Sequence, residues 1–298
     1  MKRITFIVNP ISGTKCKNSL PGIIKRLLSN NSEFSYEIVY SEYAGHCLEL
    51  ATAKVNDGVD IIVAVGGDGT VNEVARALIH TSATLGIIPF GSGNGMARHL
   101  GIPMKPEDAV KLFLTGISQQ IDYGVINQKH IFFCSCGVGF DAKVSYEFSR
   151  APKRGLFTYF EIAVRENLKY NPEVYRLITD TGEEIVSKAF VIACGNASQY
   201  GNDAFIAPSA SMKDGLLDVT LIKPFEFYNV PLLSYQLFTR NIDKNIKAKN
   251  FRCKKITISR ERVGVMHFDG EPILADKELN IEIVPSGLQV ITPAGRVI

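Results

Sequence analysis

Three short segments of this chain combine glycine with side chains able to bind oxygen anions or move a proton. The first is Gly66-Gly67-Asp68-Gly69-Thr70-Val71-Asn72-Glu73, which follows an apolar run and opens a helical pattern. Glycines allow a tight turn and a close approach of backbone N–H groups to a phosphate. A helix starting near Val71 adds the positive end of its dipole. Asp68 is the odd member, because a carboxylate beside phosphates is repelled unless Mg²⁺ or a reacting hydroxyl lies between. Its alternative role is that of a helix cap. The second segment, Pro89-Phe90-Gly91-Ser92-Gly93-Asn94, and the third, Asn9-Pro10-Ile11-Ser12-Gly13, also sit at the ends of apolar runs. Each alone is compatible with a simple turn. Neither the Gly-x-Gly-x-x-Gly fingerprint nor the Walker lysine motif occurs, so any phosphate cradle here is of another kind. Far along the chain, Asp269-Gly270-Glu271 supplies two more carboxylates, and Asp-Gly is equally a common hairpin pair.

These loops need strands and helices to hold them. Runs at Ile4–Val8, Phe34–Tyr40, Ile61–Val65 and Leu85–Pro89 read as strands. Helical spacing covers Leu20–Leu28, His46–Val55, Val71–Ile79, Gly95–Leu100 and Pro106–Leu114. Alternation of this kind predicts an α/β layered domain with a parallel sheet over residues 1–122. Beyond about Ile121 the texture turns to strands: Ile131–Cys136, Val174–Thr179, Glu184–Ala193, Leu216–Ile222, Lys255–Ser259 and Leu279–Val284. Helical stretches interrupt them at Phe157–Leu168 and at Val230–Phe238. A β-rich, mostly antiparallel second domain over 123–287 follows, and residues 288–298 are able to return to either domain.

Composition narrows the class. The 298 residues are 46% hydrophobic and 21% charged, with a net charge of +3, so neither a disordered chain nor a nucleic-acid binder is indicated. No apolar run approaches the roughly 18 residues needed to span a bilayer. The apolar patch after Lys2-Arg3 stops at Val8, short of the roughly 7–15 residues of a signal core. A cytoplasmic protein is therefore expected. The six cysteines (Cys16, Cys47, Cys134, Cys136, Cys194, Cys253) read as small buried hydrophobes in reducing surroundings, not as a disulfide framework. His46 and His267 lie near motifs without metal-ligand spacing and read as structural neighbours.

Taken together and in order, Asn9-Pro-x-Ser-Gly13, Gly66-Gly-Asp-Gly-Thr-x-Asn-Glu73 and Pro89-x-Gly-Ser-Gly-Asn94 resemble the catalytic domain of diacylglycerol and sphingosine kinases, most of all the soluble bacterial lipid kinases. The resemblance continues through Gly137-Val-Gly-Phe-Asp141, Pro208-x-Ala210, Asp214-Gly-Leu-Leu-Asp218 and Phe268-Asp-Gly-Glu271. It implies ATP-dependent phosphorylation of a lipid hydroxyl on diacylglycerol, a sphingoid base or a similar lipid, with ATP in the cleft between the two domains. By this similarity Asn9, Pro10, Ser12, Gly13, Gly66, Gly67, Asp68, Gly69, Thr70, Asn72, Glu73, Gly91, Ser92, Gly93 and Asn94 hold the nucleotide. Ser41, before Gly45-His46, matches a hydroxyl residue that contacts ATP. Glu271 stands where the family's proposed proton acceptor lies, whereas related sphingosine kinases give that role to the aspartate matching Asp68. Either carboxylate can take the proton while the other helps hold Mg²⁺. Candidate metal ligands are Asp68, Asp269 and Asp214. The chain departs from its relatives at Ser211, where they carry an aspartate that helps bind a structural Mg²⁺.

A kinase of this kind meets its substrate at a membrane, so transient association with a bilayer surface is expected. Lys244–Lys255 carries six cations and no acid, and Lys153-Arg154 precede an aromatic-containing helix. Both can attract anionic headgroups, although a lysine-protected strand edge has the same composition. Two other functions fit parts of the pattern: an NAD kinase-like enzyme sharing the Gly66–Thr70 loop, and a pseudokinase that binds nucleotide or lipid without turnover.

Overall fold

The computed structural model describes residues 1–13, 17–29, 31–151, 156–167 and 169–295, and these form two compact units, Met1–Ile121 with Ser286–Ile298 and Asp122–Pro285.

In the first unit, strands β1 (Lys2–Val8), β2 (Phe34–Tyr40), β3 (Ile61–Gly66) and β4 (Thr84–Pro89) alternate with helices α1 (Leu20–Leu28), α2 (His46–Asn56), α3 (Asp68–Leu78), α4 (Gly95–His99) and α5 (Pro106–Thr115). The strands lie parallel in the order β2-β1-β3-β4. Phe6, Ile7, Ile62, Val63, Leu85 and Ile88 are buried, as continuous apolar strands covered on both faces should be. Each such side chain contributes roughly 1.5–3 kcal/mol by leaving water. Proline near the start and acids in the first turn (Pro106, Glu107, Asp108) fix the entry of α5. The strand order reverses between β1 and β3, and in open α/β sheets ligands bind beyond the carboxyl ends of the strands at such a reversal.

In the second unit, β5 (Ile117–Ile126) enters from the first, and β6 (His130–Phe132), β7 (Ser135–Gly139), α6 (Phe140–Ser149), α7 (Leu156–Asn167), β8 (Glu173–Thr179), β9 (Glu184–Ala189), β10 (Val191–Gly195) and β11 (Leu217–Ile222) follow. Then come α8 (Val230–Phe238), β12 (Ala248–Cys253), β13 (Lys255–Arg260), β14 (Gly264–Phe268), β15 (Glu271–Ala275) and β16 (Glu278–Thr292). One antiparallel sheet runs β12-β11-β10-β7-β14-β15. Strands β8, β9, β13 and the first half of β16 form another antiparallel layer. Between them lies a core of Cys136, Val138, Ile192, Val219 and Met266 facing Tyr175, Leu177, Ile256, Ile258 and Ile281. On the outer face of the first sheet a smaller cluster, including Val191, Ala193, Ile206 and Ile222, receives Leu233 and Leu237 of α8.

Several elements differ from the sequence reading. Helix α3 starts at Asp68, three positions before Val71, so Gly69 and Thr70 lie in its first turn. The run at Ile131–Cys136 is broken between β6 and β7 at Phe133-Cys134. Glu184–Ala193 is likewise two strands in different sheets, separated at Phe190. Leu279–Val284 and Leu288–Ile291 are one continuous strand, whose far end pairs with β4 through Val290 and Leu85. Helix α6 and the two strands β14 and β15 are additions to the sequence reading, which has a hairpin turn at Asp269-Gly270 as one of its alternatives. The cysteines other than Cys16, which is outside the described residues, are free and buried.

Candidate active site

At the carboxyl end of the parallel sheet four loops are tied to one another by the ladder itself. Strand ends are level: Val8 pairs with both Tyr40 and Val65, and Gly66 with Pro89. One more hydrogen bond extends each pair, from Asn9 N–H to the Val65 carbonyl (3.1 Å), Ser41 N–H to Val8 (2.9 Å) and Phe90 N–H to Gly66 (2.7 Å). The three glycine segments and Ser41 therefore stand side by side.

Side chains lock this arrangement. The Asn9 carboxamide oxygen accepts from the Ile11 and Ser12 amides (both 3.2 Å), and its Nδ2 donates to Thr70 Oγ1 (3.2 Å). Ser12 Oγ donates to the Asn9 carbonyl (3.1 Å). Glu73 accepts from the Gly45 amide (3.2 Å), bracing the loop that leads from Ser41 into α2. Ser41 is itself buried beside the Cys47 thiol, which burial pushes above its ordinary pKa. His46 receives the Glu42 amide (3.0 Å) and stacks on Tyr43, a structural role.

Asp68 is occupied in a specific way. Its Oδ2 accepts from the Asn94 amide (2.9 Å) and its Oδ1 from the Gly95 amide (2.7 Å), so it caps α4 across from its own helix. Asn94, in the left-handed region (φ 51°), closes the same loop by donating from Nδ2 to the Gly91 carbonyl (2.8 Å).

The glycines are explained mainly by loop-to-loop packing. A Cβ on Gly91 would sit 2.7 Å from the Gly67 Cα, and one on Gly93 would sit 2.8 Å from Asp68 Oδ2. At Gly66 it would meet Thr70 Oγ1 at 2.4 Å, and at Gly13 (φ 79°) the Phe90 carbonyl oxygen at 2.0 Å. Gly69 alone of the Gly66–Glu73 glycines faces open space, with nothing within 4 Å of such a Cβ. It is exposed in the first turn of α3, as Ser92 is exposed in the neighbouring loop. Two cations escaped the sequence reading: Lys17 donates to the Ser12 carbonyl and lies over the Phe90 ring, and Arg98 donates to the Gly93 carbonyl (3.1 Å). A basic side chain five residues after Ser12, in the loop leaving β1, was the available signal.

In the second unit, Asp269 and Gly270 form the two-residue turn of hairpin β14–β15, both with positive φ (46° and 80°). The Asp269 carboxylate accepts from the Phe133 amide (2.8 Å), the Cys134 amide (2.8 Å) and the Ser135 amide (3.1 Å). That capture is what interrupts the strand between β6 and β7. Glu271 opens β15 opposite Phe268 and is exposed. Beneath the turn, buried His267 Nε2 lies 2.9 Å from Asp141 Oδ2, which also accepts from Tyr200 Oη (2.8 Å). Asp214 accepts from the Leu216 amide (3.1 Å) and lies 4.0 Å from Arg252, as a turn residue does. Ser211 Oγ accepts from the Lys213 amide (3.3 Å). Asp218 pairs with Arg252 (3.0 Å), and burial raises its pKa, an effect Arg252 partly offsets. Among the described residues no group of three or more His, Cys, Asp or Glu is placed to hold a metal ion.

Comparison with known proteins gives this geometry a family. The diacylglycerol kinase catalytic domain matches residues 3–126, and the YegS C-terminal NAD kinase beta sandwich-like domain matches 134–292. A "Diacylglycerol kinase" of Mycobacterium tuberculosis is 31% identical over 98% of this chain and 95% of its own length. The chain belongs to the family of diacylglycerol kinases and YegS-like lipid kinases. A further relative, "Probable lipid kinase YegS-like" of Yersinia enterocolitica, is 32% identical over 79% of each chain. Among solved structures, a diacylglycerol kinase from Bacillus anthracis aligns over 100% of this chain and 98% of its own, with TM-score 0.76 at 21% identity. Yeast NADH kinase shares the fold more distantly, with TM-score 0.55 at 11% identity.

Proposed function

We propose that this lipid kinase transfers the γ-phosphoryl group of ATP to the hydroxyl of diacylglycerol, a sphingoid base or a similar membrane lipid, with Mg²⁺ as the metal. The observation that carries the reading is the gathering of Asn9–Gly13, Gly66–Thr70 and Gly91–Asn94 at the topological reversal of the parallel sheet. Phosphoryl transfer asks chiefly for positioning and charge neutralisation. The amide of exposed Gly69 in the first turn of α3, the Ser92 hydroxyl and the cations Lys17 and Arg98 are suited to phosphate oxygens. Mg²⁺ supplies charge neutralisation between phosphate oxygens when bound. Asp68 fits as its carboxylate ligand, since its oxygens lie between the Gly66–Thr70 and Gly91–Asn94 loops, where they accept the Asn94 and Gly95 amides. Asp269 and Asp214 fit less well, because the first serves three amides and the second a turn and Arg252.

Glu271, exposed at the start of β15, is the group we assign as acceptor of the hydroxyl proton. Asp68 is then left to the α4 cap and the metal. The test is incubation of purified protein with labelled ATP, Mg²⁺ and total lipid extract, followed by identification of the labelled product. A phospholipid product supports the reading. Labelled NADP from added NAD, with no labelled lipid, would replace it with the soluble-substrate kinase. ATP binding without transfer to either would replace it with a pseudokinase.

A further inference from the structure

Helix α8 is apolar on two faces. Leu233 and Leu237 turn inward onto the outer face of the β12–β15 sheet. On the opposite side Leu232, Tyr235 and Phe238 follow one another at three-residue spacing and are exposed by 52%, 66% and 50%. The preceding turn adds Phe227 and Tyr228 (78% exposed), and the turn after the helix adds Ile246 (94% exposed). Ile246 is held near α8 because its neighbour Asn245 donates to Gln236 Oε1 (2.6 Å). A helix apolar all round belongs in a protein core or in lipid, and this one has only half its circumference in a core. Large contiguous patches of this kind mark interaction sites.

The charge around the patch selects the occupant. From residue 223 to 249 there are five cations, Lys223, Arg240, Lys244, Lys247 and Lys249, against the two acids Glu226 and Asp243. Lys223 and Lys247 are neighbours, joined by a backbone hydrogen bond of 2.8 Å at the end of the β11–β12 pair. Arg240 is fixed over the Phe205 ring at 4.0 Å. Further along the basic segment, Lys249, Arg252 and Lys255 are drawn into ion pairs with Glu183, Asp218 and Glu282, so that stretch is a strand edge more than a free basic surface. Lys153-Arg154 lie outside the described residues.

Building on the reading of the chain as a kinase of membrane lipids, we propose that α8 and its flanking turns are a docking surface that lies in the interface of an anionic bilayer. Leu232, Tyr235 and Phe238 enter the headgroup–acyl boundary, and Lys223, Lys244 and Lys247 meet the lipid phosphates. Tyrosine and phenylalanine beside lysine is the composition of interfacial helices, and an apolar face plus basic neighbours supplies the two signals that stable anchoring needs.

The protein has no tryptophan, so Tyr235→Trp places a single reporter on the patch without removing its aromatic character. Phosphatidylcholine vesicles containing one-third phosphatidylglycerol should shift its emission to the blue, and pure phosphatidylcholine should do so much less. In sedimentation with the same vesicles, Leu232→Ser/Tyr235→Ser/Phe238→Ser should lower partitioning at least about 10-fold. Lys223→Gln/Lys244→Gln should lower the anionic-lipid component by roughly 10-fold or more. Both variants should keep the parent's turnover on a short-chain, water-soluble acceptor, which also shows that they are folded. Binding of the triple variant equal to the parent's, or no vesicle binding by the parent, would overturn the assignment. So would a reporter already blue-shifted without vesicles in a Tyr235→Trp protein that, like the parent, sediments as a dimer, which would give the patch to a second copy. Vesicle binding requires no turnover, so failure to phosphorylate any lipid would sink the kinase reading and leave the docking result standing.

Discussion

Replacing Asp269 separates a carboxylate that holds the fold from Glu271, the one proposed to accept the proton. Its oxygens bind three amides, of Phe133, Cys134 and Ser135, at 2.8, 2.8 and 3.1 Å. Hydrogen bonds to a charged group contribute about 1.5–3 kcal/mol each. They share one acceptor group and water reaches the half-buried side chain, so Asp269→Ala should cost the low end of the sum, about 3–5 kcal/mol. Asp269→Asn tolerates the positive φ of 46° and keeps Oδ1, which serves Cys134 and Ser135, but turns an N–H₂ toward the Phe133 amide. A smaller loss of about 1–3 kcal/mol is expected for it. Glu271→Gln changes an exposed residue and should stay within about 0.5 kcal/mol of the parent while lowering kcat at least about 10²-fold. Urea denaturation by far-ultraviolet circular dichroism measures the first quantity, and hydrogen exchange at residues 133–135 locates it. Parent-like stability and unchanged exchange in Asp269→Ala would refute the clamp. Parent-like turnover in Glu271→Gln would remove Glu271 from the chemistry.

The loop packing makes a paired prediction: Gly91→Ala should destabilise the protein by about 1–3 kcal/mol and raise the KM for ATP, because its Cβ has only 2.7 Å to the Gly67 Cα. Gly69→Ala should instead gain up to about 1 kcal/mol in helix stability, so any rise in KM for ATP there reports contact with the nucleotide. For Asp68→Asn, kcat should fall at least about 10²-fold together with faster hydrogen exchange at Asn94 and Gly95, and normal exchange would show that the α4 cap does not depend on it. Burial raises the pKa of Asp218, so the folded state holds that proton more tightly than the unfolded chain, and stability from this group falls as pH rises from the ordinary Asp value through the raised one. Urea midpoints should therefore shift in favour of Asp218→Asn, relative to the parent, across that window, and a constant difference would contradict the sign.

Sequence by itself determined the class of fold and which glycine-bearing loops stand at the strand ends. Strand–helix alternation follows from side-chain period, and a glycine between an apolar run and a helix marks a strand-end loop whatever the rest of the chain does. Long-range pairing decided the remainder. Nothing local shows that Asp269 captures amides more than a hundred residues away and so divides the strand at Phe133-Cys134. Nor does spacing show that Asp68 spends both oxygens on the next loop, or that most of the motif glycines serve loop-to-loop contact and Gly69 alone of its segment looks outward. Helix α8 makes the same point from the surface: its residues are apolar in any context, but only the sheet beneath decides that Leu233 and Leu237 are covered and Leu232, Tyr235 and Phe238 are not. Residue type and period are properties of a short window, whereas a carboxylate's partners and a helix's covered face depend on segments the folded backbone brings together.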